Sequence, residues 1–268
     1  MTEKLKLAIF DFDYTIINAN STKFLNKLVI EAENAIEKRP QKTPSIADLN
    51  RFRYPNEIEN LKDEHDLTIM YQEIFNYMHS KYGIDKIKMK KCLKEIQISD
   101  SMKHLLKILN QKGFELLIVS DSNTFVIKTI IDNNNLKEIF QDRIFANKAE
   151  FGSDGRLQLT RCNDYFSKNF LSKECVGFTC RNNICKRSII ENYINLKKNW
   201  KDDKELIYVG DGIIDYCPGV GLGENDTFFV KQNSALSRYL ESNNIHEKNI
   251  KAKIKFWKNG QTILNEID

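Results

Sequence analysis

Hydrophobic and polar positions divide the chain into two regimes. From Asn20 to about Gln97 the apolar residues recur at helical spacing, and beyond Ser99 short Ile/Leu/Val runs alternate with helix-spaced segments. In the first regime Phe24, Leu25, Leu28 and Ala32 mark one face of a helix predicted from Ser21 to about Lys38. Leu67, Met70, Tyr71, Ile74 and Met78 mark a second, from Leu61 to Tyr82, with Gly83 as its stop. Between them Pro40, Pro44 and Pro55 break the period, so Arg39 to Asn60 reads as irregular. Lys86 to Ile96 reads as a short basic amphipathic helix.

The second regime opens with a helix over Asp100–Gln111, closed by Gly113, and a buried strand over Phe114–Val119 that runs into Ser120, Asp121, Ser122 and Asn123. A helix over Thr124–Asn133, a short strand within Phe140–Phe145 and a β-hairpin around Ser153-Asp-Gly155, between Lys148 and Thr160, follow. Next come a loop over Gly177–Asn183, a helix over Ile184–Leu196 with Lys186 in its first turn, and a strand over Leu206–Val209 ended by Gly210, Asp211 and Gly212. A strand over Asp226–Val230, a helix over Ser234–Ser242 and a terminal helix or turn from Phe256 complete the pattern. Before all of these, Leu7-Ala-Ile-Phe10 forms an apolar run ended by Asp11 and Asp13. Helices separating short apolar strands predict an α/β fold with a doubly wound parallel sheet. The helical stretch 20–97 then reads as an inserted helical domain in a core made of 1–19 and 98–268. Polar residues gather at the carboxyl ends of three strands, where such sheets place their sites.

Composition narrows the class. The 268 residues are 41% hydrophobic and 29% charged, as expected of a globular chain with a sizeable core. A net charge of +4, from 41 basic and 37 acidic residues, is too balanced to indicate nucleic acid, and no basic run is interleaved with aromatics. No apolar stretch nears the ~20 residues of a membrane span, and the N-terminus lacks a signal-peptide layout. The expectation is a cytoplasmic protein of open oligomeric state. Six cysteines are present. Cys175, Cys180 and Cys185 recur every five residues, unlike a zinc knuckle; with Cys162 they could make four ligands, but buried free thiols are the simpler reading.

The strand ends carry the chemistry. Asp11, Asp13, Asp211 and Asp215 supply carboxylates without His or Cys, a hard-oxygen set that selects Mg²⁺. Two carboxylates as close as Asp11 and Asp13 repel unless a cation or a shared proton compensates. Ser120 offers a hydroxyl where a strand meets a helix, and Lys186 offers a movable charge for the same anion. A carboxylate nucleophile with an acid, a metal and a cationic clamp is equipment for phosphoryl transfer.

The strings DFDYTI, the Ser120 strand end, Lys186 and GDGIID occur in the order of the four motifs of the haloacid dehalogenase superfamily, which the chain resembles. DFDYTIINANST, SDSN, CRNNICK and YVGDGIIDYCP look closer still to its phosphoethanolamine/phosphocholine phosphatase family, which includes pyridoxal phosphate phosphatases. The resemblance implies a Rossmann-like core, a helical cap domain (20–97) inserted after the first motif, and Mg²⁺-dependent hydrolysis of a small phosphorylated metabolite such as pyridoxal 5'-phosphate, phosphoethanolamine or phosphocholine. It also implies roles. Asp11 attacks phosphorus, Asp13 is acid and then base, and Ser120 and Lys186 grip the phosphate. The metal is held by Asp11, the Asp13 carbonyl and Asp211, with Asp215 orienting Lys186 or a metal-bound water. Three places depart from the family: Asn18 and Thr22 replace aspartates, and Ile214 replaces asparagine. Relatives pair an acidic residue at Thr22 with the one matching Asp121 to face the leaving group, so Thr22 bears on the substrate. A phosphoserine-type phosphatase and a non-hydrolysing phospho-ligand binder are the alternatives.

Overall fold

The computed structural model describes residues 5–40, 42–62, 67–162, 183–197, 204–242 and 249–267. Its centre is β1 (Leu5–Phe10), a run with no room for a polar face because both of its sides are covered. Ala8 and Phe10 join one hydrophobic cluster while Leu7 and Ile9 join another, as the two-residue period of a strand requires. The same division holds in β2 (Glu115–Asn123), where Leu116 and Ile118 oppose Leu117 and Val119, and in β5 (Lys204–Gly210), where Ile207 and Val209 oppose Leu206 and Tyr208. Strands buried on both faces read as continuous apolar runs, and that is what a parallel sheet inside an α/β fold demands.

Among the described residues seven strands form one sheet in the order β4-β3-β2-β1-β5-β6-β7. The others are β3 (Ile144–Phe151), β4 (Leu157–Thr160), β6 (Thr227–Lys231) and β7 (Lys253–Trp257). All neighbours pair in parallel except β3 and β4, the expected hairpin, in which Lys148 lies opposite Thr160. Helices cover both faces. Asp100–Gln111 and Thr124–Asn133 bury Leu105, Leu106, Ile127 and Ile130 on one side, and Lys186–Leu196 and Ala235–Ser242 bury Ile189, Tyr193, Leu236 and Leu240 on the other. Ser99 and Asn123 cap the first two helices by accepting from Met102 N and Val126 N.

Between β1 and β2 the regular elements are helical, from Ser21–Phe24 through Asn26–Ile36 and Leu67–Tyr82 to Lys86–Leu93. These helices share the hydrophobic cluster of one sheet face, through Leu25, Val29, Phe75 and Met78. Gln72 fastens them to the sheet edge: its amide donates to Leu157 O (2.9 Å) and accepts from Leu159 N (2.7 Å) on β4.

The structure differs from the sequence reading in several places. The irregular stretch holds two short helices, Ile46–Arg51 and Asn56–Glu59, started by a Ser45–Asp48 capping box and by Pro55, which sets a helix-compatible entry. The helix expected over Leu61–Tyr82 is described from Leu67, residues 63–66 lying outside the described ones, and the short strand expected within Phe140–Phe145 is β3, which starts at Ile144 after a helical turn at Lys137–Phe140 and runs on to Phe151. β2 continues past Val119 to Asn123 through a shift in its register with β3. Finally β7 was not foreseen; Lys253-Ile-Lys-Phe-Trp257 is an edge strand whose lysines hide its apolar alternation, and the terminal helix or turn expected from Phe256 is found as the short helix Gly260–Leu264. The loop expected at Gly177–Asn183 lies outside the described residues except for Asn183.

Candidate active site

The flanking strands of β1 are β2 on one side and β5 on the other, so chain connections depart in opposite directions at its carboxyl end. A crevice opens at such a switch point. Register brings the polar stations to it: Phe10 lies beside Ile118 and Val209, and Asp11 N donates to Val209 O at 2.9 Å. Ser120 and Asp211 each follow their paired residue by two positions.

Past Asp11 the chain makes a tight turn over Phe12–Ile16, with Tyr14 in the left-handed region at φ 58°. For a bulky residue this is a costly conformation. The turn is pinned from three sides: Tyr14 N donates to Ala19 O (3.1 Å), Lys231 Nζ donates to Tyr14 O, and Thr15 Oγ1 donates to Asp211 Oδ1 (3.1 Å). The turn carries Asp13 to the first helical residue of the insertion, where Asp13 Oδ2 accepts from Ser21 N (3.1 Å). Ser21 Oγ also lies 3.0 Å from Ser122 Oγ on β2, so this corner ties catalytic loop, insertion and sheet together.

Lys186, in the first turn of its helix, is buried with its ammonium 2.7 Å from Asp11 Oδ1 and 2.7 Å from Asp215 Oδ1. Asp215 is wholly enclosed. Tyr208 OH (2.6 Å) and Lys186 donate to its Oδ1, and Asp211 N (3.0 Å) and Gly212 N (2.9 Å) donate to its Oδ2. Each oxygen thus has two donors. Ser120 is buried, with its Oγ accepting from Ser122 N at 3.2 Å. The Asp121 carbonyl accepts from Asn147 Nδ2 (3.3 Å) and Asn183 Nδ2 (3.4 Å), and its side chain is half-buried. Thr22 is buried beside Ser21, on the wall of a separate cavity within the insertion.

So many carboxylates in a dry crevice must disturb one another. Burial, and then Asp121, push the Asp13 carboxyl up to about 7 against the hydrogen bonds from Ser21. Burial and Asp215 push Asp211 up to about 6, while burial raises Asp11 well above the carboxylate range despite Lys186. Asp121 is raised by burial too. Burial works to lower Lys186, but Asp11, Asp215 and Asp121 overcome it and keep the ammonium charged.

Residues 33–267 match the model of the family described as Putative Phosphatase. The chain belongs to that family. With it comes membership of the haloacid dehalogenase superfamily, and the protein is a phosphatase. Inorganic pyrophosphatase 2 of Arabidopsis thaliana is 30% identical over 270 residues, 97% of this chain and 84% of the relative. Pyridoxal phosphate phosphatase PHOSPHO2 of Rattus norvegicus is 26% identical over 265 residues, 97% and 96% of the two chains. Among solved structures, a phosphoserine phosphohydrolase-like protein from Francisella tularensis aligns with TM-score 0.56 at 21% identity, over 98% of this chain and all of that one. Phosphoserine phosphatase in its apo form aligns with TM-score 0.57 at 15% identity, over 99% of this chain. These likenesses show the fold.

In this member of the family, one oxygen each from Asp11, Asp211 and Asp215 lie within 4.8 Å of one another. Asp13 stands outside that carboxylate cluster. Among the described residues, Asp13 Oδ1 is buried without a hydrogen-bond partner, and Asp11 Oδ1 has the Lys186 ammonium at 2.7 Å as an ion pair. All-oxygen donors, raised carboxyls and an unpartnered buried oxygen are what a hard divalent cation relieves. The residues fit one.

The sequence reading missed Ser21, Thr15, Tyr208 and Lys231. Tyr208 stands within an apolar strand and Lys231 carries no motif, while Thr15 and Ser21 lie inside the strings DFDYTI and DFDYTIINANST without having been given a role; proximity reveals all four. Cys162 and Cys185 are buried, while Cys175 and Cys180 lie outside the described residues.

Proposed function

We propose that the protein is a Mg²⁺-dependent phosphomonoesterase that hydrolyses a small phosphorylated metabolite through an aspartyl-phosphate. The observation carrying this reading is the buried chain Asp11–Lys186–Asp215, with Asp13 held at the adjacent corner by Ser21. An Asp11 carboxylate oxygen attacks phosphorus, the ester P–O bond breaks, and Asp13 gives its proton to the departing oxygen. Asp13, now a carboxylate, takes a proton from water as that water attacks the phosphorus of the aspartyl-phosphate. Inorganic phosphate leaves and Asp11 is restored. A carboxyl at about 7 suits both halves, because acid and base forms are both populated near neutrality.

Lys186 and Ser120 hold the phosphoryl oxygens in this scheme. Asp215 serves as the bracket for Lys186, since each of its oxygens already has two donors. Asp11, Asp211 and the Asp13 carbonyl would hold the Mg²⁺, which supplies charge neutralisation for the phosphoryl group. The inserted helices act as a cap over the crevice. Substrate candidates are pyridoxal 5'-phosphate, in keeping with the name of the rat relative, and the phosphoethanolamine and phosphocholine of the resembled family. Pyrophosphate enters the panel through the Arabidopsis relative's name.

The test is phosphate release over that panel, with p-nitrophenyl phosphate as reference, in Mg²⁺ and in EDTA. Asp11→Asn is expected to lose p-nitrophenyl phosphate turnover while keeping a wild-type circular dichroism spectrum. Turnover retained by that variant would sink the nucleophile assignment.

A further inference from the structure

Three buried serines stand where the end of β2 meets the insertion. Ser21 and Ser120 have no exposed surface, and Ser122 has 6%. Ser120 and Ser122 lie on β2, while Ser21 opens the first helix after the turn that follows Asp11. A hydroxyl cut off from water must find its partners within the protein, so losing one member of such a set is felt by the others.

Ser122 reaches both of its fellows. Its N–H donates to Ser120 Oγ at 3.2 Å, and its own Oγ lies 3.0 Å from Ser21 Oγ. Ser21 N in turn donates to Asp13 Oδ2 at 3.1 Å, and the Ser21 hydroxyl also acts on that carboxyl. When the Ser21 hydroxyl gives its one proton to Asp13, the Ser122 hydroxyl is the donor in the serine pair. The two Asp13 oxygens are therefore unequal. Oδ2 accepts from Ser21, whereas Oδ1 is buried without a partner among the described residues. An oxygen that already accepts a hydrogen bond is the poorer seat for a proton, so the acid proton of Asp13 sits on Oδ1.

We propose that Ser122 is a positioning residue for the reaction read above, on which this inference rests. Through Ser21 its hydroxyl holds Asp13 so that Oδ1 presents the proton to the departing oxygen. Through its N–H it occupies the Ser120 oxygen as an acceptor, which leaves the Ser120 proton for a phosphoryl oxygen. The two duties use different atoms of Ser122. Ser122→Ala removes the first and keeps the second.

Phenyl phosphate and p-nitrophenyl phosphate are nearly alike in shape but differ in how far their leaving groups need a proton, and kcat/KM reports the step in which that group departs. With Mg²⁺, Ser122→Ala is expected to lower kcat/KM for phenyl phosphate about fivefold relative to p-nitrophenyl phosphate, and Ser21→Ala about tenfold. The double variant should lose no more than Ser21→Ala, because Ser122 acts through Ser21. Inorganic phosphate should inhibit Ser122→Ala with the wild-type Ki, since Ser120 keeps its N–H contact, and Ser122→Thr should recover the ratio by returning the hydroxyl. A loss equal for both substrates would mark a merely structural role and overturn the assignment, as would an unmoved ratio in Ser122→Ala or additive losses in the double variant. Asp13→Asn should depress the ratio at least as far as Ser21→Ala. A wild-type ratio in Asp13→Asn would instead overturn Asp13 as the acid, so the two failures are separable.

Discussion

A single carboxyl, Asp13, shows how position creates chemistry. Two residues from Asp11 in sequence, it leaves the carboxylate cluster because the Phe12–Ile16 turn swings it to Ser21. Burial then raises it to about 7. In the proposed mechanism the acid form protonates the leaving oxygen, and that form disappears as pH rises through about 7. For an alkyl phosphate, kcat/KM is therefore expected to fall above neutrality, read from a pH–rate profile. Asp13→Asn should cut turnover by roughly 10²–10⁴. With p-nitrophenyl phosphate, whose leaving group needs no proton, the same variant should give a burst of p-nitrophenolate followed by slow turnover, because the base for the second half is missing. Absence of a burst in stopped-flow would contradict the dual role. Asp13 was legible as a second carboxylate in DFDYTI; its partner Ser21 was not.

At the scale of elements, the site depends on how closely two segments approach. A Cβ built on Gly210 would sit 2.6 Å from Asp215 Cγ, closer than carbon atoms tolerate. The end of β5 needs glycine so that Asp215 can fold back and receive Lys186 and Tyr208. Gly210→Ala should displace Asp215 and lower kcat at least tenfold, measured with p-nitrophenyl phosphate, together with a lower melting temperature; wild-type kcat would refute the bracket role. The strands carrying the site were readable because β1, β2 and β5 are buried on both faces and so appear as uninterrupted apolar runs. β7 escaped because its lysines break the run, and the helices at Ile46–Arg51 and Asn56–Glu59 because prolines around them look like breakers. Edge strands and single-turn helices are decided by a neighbour or a cap, which periodicity does not register.

For the molecule as a whole, folding gathers carboxylates that would stay apart in the unfolded chain. Asp13 at about 7 and Asp211 at about 6 bind protons more tightly when folded than at their ordinary 3.8. Their contribution is fully present below the unfolded value and is lost as pH climbs through 6 and 7. Metal-free protein should therefore lose thermal stability from about pH 4 to about pH 7 through these groups and level off above. Mg²⁺ offsets the same repulsion, so saturating Mg²⁺ should raise Tm over EDTA by more at pH 8 than at pH 6, by differential scanning fluorimetry. An equal or reversed gain would count against Asp211 and its neighbours as the cation site. No helix among the described residues is long and apolar enough to cross a membrane.

The sequence by itself determined the parallel α/β plan, the helical character of the stretch after the first strand and the polar stations at three strand ends. Those features are written locally, in period and in short motifs, and each strand end inherits its position from the run before it. Tertiary structure decided the rest: that Asp215 is saturated by Tyr208, Lys186 and two peptide N–H groups, and that Asp13 turns to Ser21. The hydrogen-bonded partners among these lie from 3 to 29 residues apart. Only the strand register and the docking of the inserted helices bring them within hydrogen-bond range.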